Sequence, residues 1–265
     1  MFRPRSCPTI VHHSLRNVWH CYSARSACDP FRHLIAYTSS LQIVGVDMFT
    51  GIVEEMGVVK SIEKTLAGAK LSLLASIVVD DLGIGDSISV NGACLTVTAR
   101  TDRDFSVDIS TETLSVTSLG NLAPGTPVNM ERAMKIHQRI GGHLVSGHVD
   151  AMGAIRNRRQ EGNTLIITIE APKEILRYCV PKGSITVDGI SLTINELTER
   201  SFGVAIIPHT AKVTTLGLKQ IGDAVNLEPD LIGKYVERLL QERGQLPATP
   251  SPVIDKEYLQ KRGLI

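Results

Sequence analysis

The chain has 265 residues, with 43% apolar residues and only 4% aromatics, which predicts one or two folded domains around aliphatic cores and excludes a disordered chain. Lys and Arg number 28 against 27 Asp and Glu, a formal charge of +1, which gives no electrostatic case for nucleic acid or an acidic membrane surface as partner. No apolar run of about 18 residues occurs, against a spanning helix, and Cys7, Cys21, Cys28, Cys94 and Cys179, with no CxxC among them, predict neither a disulfide framework nor a zinc site.

Residues 1–47 are a different kind of sequence. They hold Arg3, Arg5, Arg16, Arg25 and Arg32 but no lysine, with Asp29 and Asp47 as their only acids. This composition reads either as an organelle transit peptide or as an upstream start, with Met48 the true first residue. The expected compartment is the cytoplasm, or a plastid or mitochondrion if 1–47 is a transit peptide. Both readings set 1–47 apart from the fold.

From there on the chain is written twice. Residues 49–57 align with 145–153 at an offset of 96, and 87–97 with 184–194 at 97; 113–120 and 128–131 align with 210–217 and 225–228, also at 97. Ordered blocks at nearly one offset predict two copies of one domain, over 48–140 and 141–229. Each copy reads as all-β. Ser87-Ile88-Ser89-Val90 and Ser184-Ile185-Thr186-Val187 alternate with period two, and the following Asn91-Gly92 and Asp188-Gly189 are tight-turn dipeptides. Short strands with regular turn signals predict a sandwich or a small barrel, and barrel closure would remove exposed strand edges. The end differs. After Pro229, Leu231, Ile232, Tyr235, Val236, Leu239 and Leu240 make one apolar helical face, ended by Gly244. The three prolines in 246–252 exclude helix there, and 255–262 is expected to form a further short helix. Residues 230–265 are thus a C-terminal helix and tail. The apolar face packs either on its own barrel or against copies of itself.

Aligned positions that differ mark where two equivalent sites have been given different jobs. Cys94 stands opposite Ser191, Ile52 opposite His148 and Glu112 opposite His209, while Thr96/Thr193 and Thr113/Thr210 stay the same. Cys94, at a strand start after a tight turn, is either a reactive thiol or a small buried hydrophobe. His148 is either a solvated histidine or a chemical one. The spacing of His137, His143 and His148 fits no helical ligand pair and no HExxH, so no metal is expected. Gly141, Gly142 and Gly147 belong to no GxGxxG or P-loop pattern. Recurring hydroxyls (Thr96, Thr113, Ser191, Thr193, Thr210) suit a neutral polyol better than a phosphate.

Five blocks carry a resemblance to a known family. Met48-Phe49-Thr50-Gly51-Ile52-Val53, Asn91-Gly92-Ala93-Cys94-Leu95-Thr96-Val97-Thr98, Gly141-Gly142-His143-Leu144-Val145-Ser146-Gly147-His148, Asp188-Gly189-Ile190-Ser191-Leu192-Thr193 and Gly233-Lys234-Tyr235-Val236-Glu237-Arg238 resemble riboflavin synthases. The resemblance covers about 48–242 continuously, and 1–47 is the departure from it. It implies an all-β fold of two tandem homologous six-stranded Greek-key barrels plus a C-terminal α-helix that holds a homotrimer. It implies dismutation of two 6,7-dimethyl-8-ribityllumazine molecules, two per active site, to riboflavin and 5-amino-6-ribitylaminouracil by four-carbon transfer. No cofactor or metal is implied, and the active site would lie between subunits. Lumazine synthase is a further expected partner.

Carried over by motif, Gly51, Ile52 and Val53 are expected to line the first pocket with Ala93, Cys94 and Leu95, completed by Asp108, Ile109, Ser110, Thr111, Glu112 and Thr113 around the ribityl chain. Gly147, His148, Val149, Lys182, Ser191, Leu192 and Thr193 are expected in the second, with Ile207, Pro208, His209, Thr210, Ala211 and Lys212. Cys94, His148 and Ser191 are the expected catalytic residues. The alternatives are a non-catalytic lumazine- or flavin-binding antenna protein, which tends to lose the residue matching Cys94, and an oxidoreductase flavin barrel. The latter would need a following nucleotide-binding α/β domain, where this chain has a second barrel.

Overall fold

A computed structural model describes residues 47–244. The expectations for residues before Asp47 and for the proline-rich segment and short helix after Gly244 lie outside the described residues. The first copy runs β1 (Glu55–Thr65), β2 (Gly68–Leu74), β3 (Ser87–Val90), β4 (Ala93–Arg100), β5 (Asp104–Ser110), α1 (Thr111–Val116) and β6 (Pro127–Arg132). The second runs β7 (Ala151–Glu161), β8 (Thr164–Glu170), α2 (Lys173–Leu176), β9 (Ser184–Val187), β10 (Ile190–Leu197), β11 (Ser201–Ile206), α3 (Pro208–Val213) and β12 (Ala224–Pro229). Each set closes into an antiparallel barrel with the same ring order, β1-β2-β5-β4-β3-β6 and β7-β8-β11-β10-β9-β12. The expected pair of six-stranded barrels is therefore what the chain forms, and the β2–β5 and β8–β11 neighbours give each the Greek-key crossing.

The period-two pattern fixes which way each strand faces. In β4, Ala93, Leu95 and Val97 point into the first barrel, where they meet Leu71, Leu73, Ile88, Phe105 and Val107; Cys94 and Thr96 point out. The second barrel has its own core around Ile155, Ile167, Ile169, Ile185 and Phe202. The turns Asn91-Gly92 and Asp188-Gly189 hold both central residues at positive φ (46° and 83°, 48° and 76°), the geometry a two-residue hairpin needs and glycine permits.

The two copies meet about a pseudo-two-fold axis. The segments leading into β1 and β7 pair antiparallel at Phe49 and Val145, which exchange backbone hydrogen bonds of 2.8 and 3.1 Å. The two hairpin turns abut: a Cβ on Gly92 would lie 2.8 Å from Gly189 N, and the reverse is also 2.8 Å. Beside them a buried asparagine of each barrel crosses to the other. Asn129 Nδ2 donates to the Asp188 carbonyl at 2.9 Å while its Oδ1 accepts Thr215 N at 2.8 Å; Asn226 Nδ2 donates to the Asn91 carbonyl at 2.7 Å while its Oδ1 accepts Ser118 N at 2.7 Å. The symmetry breaks at one buried charge. Asp188 is fully buried with Lys219 Nζ at 2.9 Å, where the first copy has neutral Asn91 and Leu122.

The last element is α4 (Leu231–Glu242), capped by Asp230, whose side chain accepts Ile232 N at 3.0 Å. It is tied down through its polar side by Lys234 to Asp150 at 2.6 Å and by Glu237 to Tyr178 and Arg177. Its apolar face does not pack on its own barrel: Ile232, Tyr235, Val236 and Leu239 are 62%, 64%, 49% and 56% exposed. Among the described residues no helix is long and apolar enough to cross a membrane.

Asn129→Ala or Asn226→Ala strips a buried backbone N–H and a buried carbonyl of their partners, so each should cost about 2–4 kcal/mol in urea unfolding. A loss below about 1 kcal/mol would show that the inter-barrel seam does not depend on these amides.

Candidate active site

The strand pattern turns Cys94 and Ser191 to the outer walls of their barrels, both half-buried, and the paired lead-in segments cover them. Each segment is gripped by the last strand of its own barrel. The Glu131 carboxylate on β6 accepts Thr50 N, Thr50 Oγ1 and Gly51 N at 2.7, 2.7 and 3.0 Å. Glu228 on β12 accepts Ser146 N, Ser146 Oγ and Gly147 N at 2.8, 2.7 and 3.0 Å. Burial pushes both carboxyls above their ordinary range, and these donors oppose it.

Beyond the grip, each segment crosses to the opposite barrel. Ser191 N donates to the Gly51 carbonyl at 2.7 Å, and Cys94 N to the Gly147 carbonyl at 2.8 Å. Val53 packs on the second core and Val149 on the first. The expected grouping is corrected accordingly: Gly51, Ile52 and Val53 belong with Ser191, and Gly147, His148 and Val149 with Cys94. The cause is the Phe49–Val145 pairing, which points each segment across the pseudo-two-fold before its own first strand begins. The approach demands glycine. Both residues have positive φ (75° and 76°); a Cβ on Gly51 would stand 2.6 Å from Ser191 Cβ, and one on Gly147 2.7 Å from Cys94 Cβ.

The first pocket thus gathers Cys94, Thr96, Gly147 and the exposed His148. Asp108, Ser110, Thr111, Glu112 and Thr113 sit at the end of β5 and on α1, where Ser110 caps the helix by accepting Thr113 N at 3.0 Å. The second gathers Ser191, Thr193, Gly51 and Ile52, which is 48% exposed. Pro208, His209, Thr210, Ala211 and Lys212 lie on α3 in the place of α1, with Ile207 at the N-cap but no side-chain cap there, and Lys182, at positive φ, lies in the turn before β9. Ala93, Leu95, Ile109 and Leu192 are corrected in one respect. Their side chains are buried in the barrel cores, because the strand alternation turns them inward, so only their backbone is available to a ligand.

Burial is the main cause that pushes the Cys94 thiol above its ordinary value, with Asp47 and Glu228 acting the same way. That favours a neutral S–H over a standing thiolate. His143 Nδ1 lies 2.7 Å from Ser191 Oγ, and burial lowers its proton affinity, which favours the neutral imidazole as a hydrogen-bond partner for that hydroxyl. Among the described residues no three His, Cys, Asp or Glu side chains form a metal-binding group. A cavity of about 440 Å³ lies elsewhere, on the seam between the barrels beside Ser118, Thr215 and Lys219.

Sequence reasoning did not assign roles to His143, Glu131 or Glu228. A signal for the glutamates exists in the repeat, since Asn129-Met130-Glu131 and Asn226-Leu227-Glu228 recur at one offset, and polar residues kept in both copies of an apolar strand need buried partners. His143 gave no comparable signal, because its contact with Ser191 spans 48 residues.

Comparison with known proteins agrees with the duplicated fold. A model of the lumazine binding domain matches the chain twice, over residues 50–133 and 146–230. The riboflavin synthase of Actinobacillus pleuropneumoniae is 45% identical over 217 residues, 82% of this chain and all of that protein. That of Bacillus subtilis is 43% identical over 216 residues with the same shares, and that of Schizosaccharomyces pombe is 43% identical over 73% of this chain and 94% of its own length. Among solved structures, LumP complexed with riboflavin superposes with a TM-score of 0.64 at 24% identity, covering 68% of this chain and 98% of that one; at that identity the likeness speaks for the fold alone. The duplicated lumazine binding domains and the full-length match to these enzymes place the chain in the riboflavin synthase family.

Proposed function

We propose that the chain catalyses the dismutation of two 6,7-dimethyl-8-ribityllumazine molecules: one gives up a four-carbon unit and leaves as 5-amino-6-ribitylaminouracil, and the other gains that unit and becomes riboflavin. The observation that carries this reading is the pair of pockets with one backbone plan and different chemistry, Cys94 with His148 in one and Ser191 with His143 in the other. A reaction that consumes two copies of one molecule in unlike roles suits two like pockets with unlike side chains. Holding the two rings against each other can supply about 7–11 kcal/mol of the barrier. Cys94 and His148 act as proton carriers or add to the lumazine ring at the first pocket, and Ser191 serves the second.

Cys94 and Ser191 both lie on the outer walls of their barrels, so bringing two such sites face to face calls for a second copy of the chain. The uncovered apolar face of α4 supports assembly through that helix as a homotrimer, with the first barrel of one subunit facing the second barrel of a neighbour.

Full-length chain incubated with 6,7-dimethyl-8-ribityllumazine, without added cofactor, should give one riboflavin per two lumazines consumed. Bound lumazine with no riboflavin would establish the antenna reading instead. Cys94→Ala should slow turnover at least about tenfold, more than it weakens ligand binding, and His148→Gln should lower the rate with the fold intact; full single-turnover rates in both variants would remove these assignments. Gly147→Ala and Gly51→Ala, which force a side chain against Cys94 and Ser191 respectively, should each abolish one class of ribityl-ligand site in calorimetric titration and spare the other.

A further inference from the structure

The repeat can be read two residues upstream of Phe49, one residue before the block that carries the family resemblance. The offset of 96 that sets Phe49 against Val145 also sets Asp47 against His143. In the second copy His143 hydrogen-bonds the pocket hydroxyl itself, Nδ1 to Ser191 Oγ at 2.7 Å. In the first copy the equivalent of that hydroxyl is the Cys94 thiol, and Asp47 reaches toward it through one intermediary: Ser87 Oγ donates to Asp47 Oδ2 at 2.7 Å. Ser87 is buried on β3, where it pairs with Thr96 and so stands on the same outer face as Cys94, diagonal to it across the β3–β4 ladder, and its hydroxyl acts on the Cys94 thiol as a hydrogen-bonding group. The backbone holds Asp47 in place, because the next residue, Met48, accepts Met134 N at 2.7 Å and Phe49 is fully buried.

A serine hydroxyl has one proton and two lone pairs. If that proton points at the sulfur, it stabilises a thiolate; if it points at a carboxylate, the serine oxygen can only accept, and the group it accepts from is the S–H. We propose that Asp47 is a positioning residue of the first pocket: by accepting the hydrogen bond of the Ser87 hydroxyl it makes the Ser87 oxygen an acceptor for the Cys94 S–H and keeps Cys94 a proton donor rather than a nucleophilic thiolate. The titratable groups beside Cys94 do not supply a competing proton by this route. Glu228 is occupied by Ser146 and Gly147, and His148 lies exposed one residue beyond Gly147. Burial is the main cause that disfavours the thiolate; the Ser87 hydroxyl, next in weight, favours it when it donates to the sulfur, and the Asp47 and Glu228 charges then disfavour it again.

The inference rests on the placement of Cys94, not on the overall reaction, so its test needs no substrate. The full-length chain and its Asp47→Asn variant are alkylated with iodoacetamide across a pH series, and modification is read at the Cys94 peptide by mass spectrometry. An asparagine amide donates to Ser87 and frees the hydroxyl proton for the sulfur. The variant should therefore titrate at lower pH and react roughly three- to tenfold faster near pH 7.5, the thiolate gain for a shift of about half to one unit. In a Ser87→Ala background the same change should gain less than about twofold. An unchanged alkylation profile in Asp47→Asn overturns the proposal. So does an equal gain with and without the Ser87 hydroxyl, which would mean that Asp47 acts by charge through space and not through the serine.

Discussion

The lead-in segments of the two copies pair with each other at Phe49 and Val145, beside two glycine turns whose contact lets the barrels come together. Gly92 and Gly189 stand so close that a methyl group on either would meet the other's backbone nitrogen. That contact sets the distance between the barrels, the distance lets the segments pair, and the pairing carries each segment across to the other barrel. The Asn129 and Asn226 amides then cross the same seam and satisfy buried backbone groups that barrel closure leaves over. Packing of the two halves and construction of the two pockets are therefore one arrangement, secured by the same hydrogen bonds.

On this common frame the chemistry is free to differ. Glu131 and Glu228 hold the two segments identically, each through two backbone amides and one hydroxyl, so the backbone path does not depend on what the neighbouring side chains are. Besides Glu112 against His209, three positions at the lead-in segments and the walls they cover separate the pockets: cysteine against serine at the strand start, histidine against isoleucine on the crossing segment, and aspartate against histidine at the segment's beginning. In the second pocket an imidazole meets the Ser191 hydroxyl directly; in the first a carboxylate accepts the hydroxyl of Ser87, on the same face as the thiol. Proton placement differs while ring placement can stay the same, which is what a reaction between two identical molecules in different roles asks of a protein.

Much of this was legible in the sequence. The duplication, the Asn91-Gly92 and Asp188-Gly189 hairpins, the inward Ala93, Leu95 and Val97 and the apolar stripe of the last helix all follow from local pattern, because period and turn chemistry act over a few residues. The exchange of the lead-in segments did not follow. Gly51 precedes the first barrel in sequence, and nothing local tells that its carbonyl serves Ser191, 140 positions away, rather than Cys94. The alternation of β4 could have warned that Ala93 and Leu95 face away from Cys94, yet a motif transferred as a block hides that its alternate residues lie on opposite faces. The two readings of the C-terminal helix could be separated only once the barrel wall was known to leave its apolar face uncovered.

The crossing of the segments also changes which residues are bound to each other in the chain's history. Aligning the two halves suggests that Cys94 and Ser191 are partners in divergence, as are Gly51 and Gly147. Physically each pair is split. A change at Ser191 is met by Gly51 from the other half, and a change at Cys94 by Gly147. The halves are thus not two modules drifting separately. Each carries part of the other's constraint, and a half transplanted between relatives would bring its own crossing segment to a wall that had evolved against a different one.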